Sequence, residues 1–176
     1  MKIVVTPMCE EILKWNNLDK YIVNKFPDNE ENVDLAILLS ESDTKYPKIK
    51  LKLNTFKQIK ESTIKVSEKL NTKPIDFESL IKQYPKAENI INNLKNYQEK
   101  NKNIKIKVYS EFLKDIVKDL GFNISNDNYD YVVYPDYLNI KDECSNLIKI
   151  SSHGNISNNP LERAVIRYST ILNKIY

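Results

Sequence analysis

Nucleophilic and imidazole chemistry in this chain rests on three positions, because Cys9, Cys144 and His153 are its only cysteines and histidine. Cys9 follows Lys2-Ile3-Val4-Val5-Thr6-Pro7, which reads as a short buried strand, and precedes an amphipathic pattern beginning Glu10-Glu11-Ile12-Leu13. A thiol at such a strand-to-helix turn stands where open α/β sheets collect ligands, and it feels the helix dipole. Helix N-termini lower a cysteine pKa from about 8.5 toward or below neutral, a shift that Glu10 and Glu11 would oppose. The same position also suits an inert buried thiol packed as a small apolar residue. Cys144, in the polar stretch Lys141-Asp142-Glu143, reads as an incidental surface or half-buried thiol. His153 lies in Ser151-Ser152-His153-Gly154-Asn155. It is either a base or donor to a ligand, paired with Cys9 if their strands are neighbours, or a loop histidine without catalytic duty.

Other chemistries have little to build on. The chain has two glycines and neither a dinucleotide fingerprint nor a Walker pattern, so a bound phosphate would depend on hydroxyls, single amides or a lysine. Two cysteines and one histidine are too few for a disulfide framework or a Cys/His zinc site. Glu41, Asp43, Glu111 and Asp136 follow predicted strands but are too scattered to make a metal site, and none is assigned. Lys and Arg total 27 against 24 Asp and Glu, and Arg163 and Arg167 are the only arginines. A net charge of +3 carried almost wholly by lysine speaks against nucleic acid as a partner. No signal peptide and no apolar run of membrane-spanning length is legible, so no membrane partner and a cytoplasmic address are expected.

The elements that would position these residues alternate between strand and helix. Lys2 to Thr6 is the first expected strand, followed by a helix from about Glu10 to Phe26 with Ile12, Leu13, Trp15, Leu18, Tyr21, Ile22 and Phe26 at helical spacing. Asn32 to Ser40 is a nearly continuous apolar run, as in strands covered on both faces. The polar Ser40-Glu41-Ser42-Asp43-Thr44 after it is a candidate binding loop. Ile49, Leu51 and Leu53 alternate with lysines, which predicts an edge strand, and Asn54-Thr55 could cap a helix to about Leu70.

Helical character spans about 76 to 98, with a kink expected near Pro85. Ile104, Ile106 and Val108 mark the next strand, and Ser110 and Gly121 bracket a helix. Tyr131 to Tyr134 and Leu147 to Ile150 are further strands, with most of the tyrosines around the former assigned to packing. Asn159-Pro160 opens the final helix, whose core side is Leu161, Ala164, Val165, Tyr168, Ile171 and Leu172. The expected fold is a single α/β domain over 1–176, a Rossmann-like three-layer sandwich with a mainly parallel sheet.

Met1-Lys2-Ile3-Val4-Val5-Thr6-Pro7-Met8-Cys9-Glu10-Glu11 resembles the start of the HcgF family, methanogen proteins that build the iron-guanylylpyridinol cofactor of [Fe]-hydrogenase. The resemblance implies that Cys9 forms a thioester with the carboxylate of guanylylpyridinol, after a partner enzyme of the pathway has activated that carboxylate as an acyl adenylate. It implies guanylylpyridinol as bound substrate, no resident cofactor, and acyl transfer as the reaction. Thr6, Pro7, Met8 and Glu10 around the thiol, the loop at Ser40, Glu41 and Ser42, and the loop at Ser151, Ser152, His153 and Asn155 are the expected pocket. A homodimer is compatible with it. The alternatives are a nucleotide- or nucleoside-binding α/β protein with a structural Cys9, perhaps a hydrolase, and a non-enzymatic small-molecule carrier.

Overall fold

The computed structural model describes residues 1–142, 144–152 and 156–176. The chain divides into two compact units, one of residues 1–83 with 158–161 and one of residues 84–157 with 162–176. Each contains a four-stranded, wholly parallel sheet flanked by helices, the α/β class expected, although the single expected sheet is two.

The first sheet contains β1 (Ile3–Val5), β2 (Ile22–Val23), β3 (Leu35–Leu39) and β4 (Lys48–Leu51) in the order β2-β1-β3-β4. Ile3, Val4 and Val5 of β1 and Ala36, Ile37 and Leu38 of β3 are all buried. Such continuous apolar runs belong to the interior of a parallel sheet, whereas the lysines of β4 mark its edge position. The helix expected over 10–26 is much shorter. α1 spans Glu10–Trp15, because Asn17 adopts φ 56 and Leu18 N–H donates to Leu13 O at 3.0 Å, which ends the helix and frees Ile22–Val23 to pair with β1. α2 (Phe56–Leu70) follows β4 and begins with a reciprocal cap between Thr55 and Gln58.

The kink expected near Pro85 is a break. α3 (Phe77–Lys82) ends at Gln83, and α4 (Pro85–Asn101) starts anew with proline at its first position, in the same stretch where one unit gives way to the other.

The second sheet repeats the first. β5 (Lys105–Val108), β6 (Asn123–Ile124), β7 (Tyr131–Pro135) and β8 (Leu147–Ile150) are ordered β6-β5-β7-β8, with α5 (Glu111–Asp119) after β5 and α6 (Pro160–Ile175) last. The correspondence reaches single residues. Ile3 pairs with Leu35 as Ile106 pairs with Tyr131, and Leu39 pairs with Leu51 as Pro135 pairs with Ile150. Asn32 and Asn128 both adopt φ 53 two residues before an aspartate, Asp34 or Asp130, whose carboxylate accepts from the N–H of Lys2 or Lys105. Asn17 and Gly121, both with positive φ, follow the helix that comes after β1 and β5 respectively. Helix hydrogen bonds superpose in the same way: Asn16 N–H donates to Ile12 O as Leu120 N–H donates to Ile116 O.

Candidate functional site

In the first sheet the chain leaves β1 toward β2 on one side and returns to β3 on the other. The carboxyl ends of β1 and β3 therefore flank a topological switch point, where open α/β sheets hold ligands. Thr6 ends β1, donating its N–H to Ile37 O at 3.0 Å, and Pro7–Cys9 forms a 3-10 turn against β3 that runs into α1. Ser40 ends β3, donating its N–H to Leu51 O at 2.9 Å, and Ser42 N–H turns back to Leu39 O at 3.0 Å. The expected residues Thr6, Pro7, Met8, Cys9 and Glu10 thus share one sheet edge with Ser40, Glu41 and Ser42.

Cys9 is fully buried. Its N–H donates to Thr6 O at 2.9 Å, and the Glu10 N–H donates to Pro7 O, so the turn is internally bonded. Matching the hydrogen bonds of α1 to those of α5 sets Ile12 against Ile116 and hence Cys9 against Leu113, which is buried as well. A thiol occupies a place that the second unit fills with a core leucine. Thr6, Pro7 and Met8 are half-buried and Glu41 and Ser42 exposed.

The acids beside the thiol are compensated. Lys14 lies 2.7 Å from Glu11 Oε1 and 3.2 Å from Glu10 Oε1, and these carboxylates, Glu11 foremost, push the Lys14 pKa above its ordinary value. A lysine held charged within reach of both carboxylates weakens their opposition to a thiolate. The far end of the Ser40–Thr44 loop is anchored: Asp43 pairs with Lys48 and lies 3.6 Å from Lys50, and the Lys48 contact lowers its pKa to about 2. The neighbouring Thr44, itself buried, donates its hydroxyl to Asp28.

Ser151 and Ser152 follow β8 and belong to the second unit. Ser152 is buried and donates both its hydroxyl and its N–H to Asp136 Oδ1, the latter at 3.1 Å, which lowers the Asp136 pKa. It joins the end of β7 to the end of β8. His153 and Asn155 lie outside the described residues. Ser110 heads α5 as expected, but its hydroxyl makes no capping bond.

Two groups of residues escaped the sequence reading. Arg163 and Arg167, one helical turn apart on α6, are almost fully buried. Arg167 donates to the carbonyls of Ser151 at 3.3 Å and Ser152 at 3.1 Å and lies 4.6 Å from the Phe112 ring centroid, while Arg163 donates to Ser157 O at 3.0 Å. Their spacing beside Leu161, Ala164 and Tyr168 was the available signal. The second group is Lys107, Tyr109, Tyr129 and Asp142, joined by an ion pair of 3.0 Å. No single motif announces it, because its members come from separate segments.

Among the described residues no group of histidine, cysteine, aspartate and glutamate is placed to hold a metal ion, and no helix is long and apolar enough to cross a membrane. No family model matches the chain, and no curated protein matches it.

Proposed function

We propose that the protein binds guanylylpyridinol and accepts its adenylate-activated carboxylate as a thioester on Cys9. The observation that carries this reading is the position of Cys9, in the first turn after β1 at the switch point of the first sheet, within the eleven-residue segment that resembles the HcgF family. The thiolate sulfur attacks the carbonyl carbon of the acyl adenylate, the C–S bond forms, the C–O bond to phosphate breaks, and AMP leaves with the electron pair. The thiol proton is lost to solvent or to the carboxylate of Glu10, next in the chain. Because Cys9 is buried, acylation on this reading takes place with the Pro7–Cys9 turn open and its two hydrogen bonds broken.

A second reading is favoured by the burial of Cys9 and by its correspondence to Leu113: a nucleotide- or nucleoside-binding α/β protein whose thiol is a packing residue. Intact-protein mass spectrometry after incubation with guanylylpyridinol, ATP and the adenylating enzyme separates the two. The first reading expects one covalent addition of the pyridinol acyl mass on the wild type and none on Cys9→Ser. No addition with a demonstrably activated substrate, or the same addition on Cys9→Ser, refutes it.

A further inference from the structure

Three side-chain donors in the second unit converge on one carboxylate. Lys107 Nζ and Tyr109 OH donate to Asp142 Oδ2, each at 3.0 Å, and Tyr129 OH donates to Oδ1 at 2.9 Å. The Cys144 N–H adds a bond to Oδ1 at 3.1 Å. Lys107 Nζ also lies 4.8 Å from the Tyr129 ring centroid and 5.2 Å from that of Tyr109, and the Asp142 side chain is 2% exposed. A charged donor flanked by two aromatic faces and two phenol hydroxyls is a complete recognition set for a carboxylate.

The donors and the acceptor differ in how they are held. Lys107 is within β5, Tyr109 follows it with its N–H bonded to Val133 O, and Tyr129 directly precedes Asp130 at the start of β7. Asp142 rides on the connection 136–146, whose described residues form neither helix nor strand. The duplicated framework supplies an independent comparison. The register sets Lys107 against Val4 and Tyr109 against Thr6, and the Asn-x-Asp turn sets Tyr129 against Val33. Val4 and Val33 are buried valines and the third counterpart is Thr6, so the first unit builds the same strands and turn without the lysine or either tyrosine. The paired strands and the Asn-x-Asp turn therefore do not demand them; what they hold is the connection that carries Asp142.

We infer that Lys107, Tyr109 and Tyr129 form a binding site for a small carboxylate ligand, which Asp142 occupies in cis. The Asp142 side chain competes with any external carboxylate, and displacement of the connection that carries it makes the three donors available. The site is independent of Cys9 and of the thioester reading.

Acetate is the minimal probe. Asp142→Ala vacates the carboxylate position, and sodium acetate should raise its thermal midpoint by a few degrees, saturably, over sodium chloride at equal ionic strength. The wild type and Asp142→Asn, whose side chains fill the position, should not distinguish the two salts, and Lys107→Met combined with Asp142→Ala should lose the response. A response to acetate equal in all four proteins, or none in Asp142→Ala, overturns the inference. Where Asp142→Ala does not fold in chloride, recovery of cooperative unfolding in acetate alone supports the site, and failure in both salts overturns it.

Discussion

Burial of Cys9 makes a quantitative claim about its reactivity, and Cys144, partly exposed in the same chain, supplies the internal standard. Exposing the Cys9 sulfur opens the Pro7–Cys9 turn, losing the bond from Cys9 N–H to Thr6 O and that from Glu10 N–H to Pro7 O. Each backbone bond contributes about 1 kcal/mol net, and transferring a side chain of this size back into water costs about 1 kcal/mol more. An opening free energy of about 3 kcal/mol corresponds to about a hundredfold protection, since each 1.4 kcal/mol or so is tenfold. Native protein treated with iodoacetamide, quenched over a time course and quantified at each cysteine by peptide mass spectrometry, should therefore alkylate Cys9 about a hundredfold more slowly than Cys144. The difference should vanish in denaturant. Equal native rates would refute the reasoning, because they would mean that the bonded turn is not the resting state. Under the thioester reading, activated guanylylpyridinol should block Cys9 from later alkylation after denaturation while leaving Cys144 reactive.

Four further outcomes follow from the packing. Gly121→Ala should destabilise the protein by about 2 to 4 kcal/mol in urea unfolding, since a Cβ at φ +83 would lie 2.5 Å from Gln98 Cα, whereas Asn17→Gly at the matching turn should change stability by less than about 1 kcal/mol. Arg167→Met should cost about 2 to 4 kcal/mol through the lost bonds to the Ser151 and Ser152 carbonyls and the lost stacking on Phe112, and a thermal midpoint indistinguishable from wild type would contradict that assignment. Cys9→Ser, which buries a hydroxyl where Leu113 sits in the other unit, should lower stability by about 1 to 3 kcal/mol, so the mass-spectrometric test needs a check by circular dichroism that this variant is folded. On the acid side, Asp142 is held well below the usual carboxylate range, first by the Cys144 N–H and then by Lys107, and Asp43 is held at about 2 by Lys48. A depressed carboxylate contributes stability that is complete above its unfolded pKa of about 4 and is lost as the pH falls toward the folded value, so acid titration followed by circular dichroism should show a shallower loss below pH 4 for Asp142→Asn than for wild type.

Local pattern was sufficient for most elements. The apolar runs of β1, β3 and β7, the alternating lysines of β4 and β5, the Thr55 cap, the Gly121 stop and the Pro160 start are all visible in single segments, because burial on two faces, burial on one face and helix termination each act on neighbouring residues. The edge strands β2 and β6 were not legible. Ile22 and Val23 are exposed and continue the helical spacing of the preceding residues, and only the left-handed Asn17 and the open edge of β1 assign them to a sheet. The repeat was hidden as well, since the two halves share backbone pairing and turn geometry while their aligned side chains differ, Lys107 against Val4 and Tyr129 against Val33.

The candidate site divides in the same way. By itself the sequence determined that one thiol stands at a strand-to-helix turn and that polar residues follow β3 and β8, because these are facts of adjacency along the chain. Tertiary structure decided the rest. Strand order joined Ser40–Ser42 to the Cys9 edge and put Ser151 and Ser152 in the other unit, packing turned Cys9 and Ser152 inward, and distant segments met around the Asp142 carboxylate. Side-chain spacing reports which face of an element is apolar, whereas exposure and polar partners depend on which other elements cover that face, and those contacts link residues far apart in the chain.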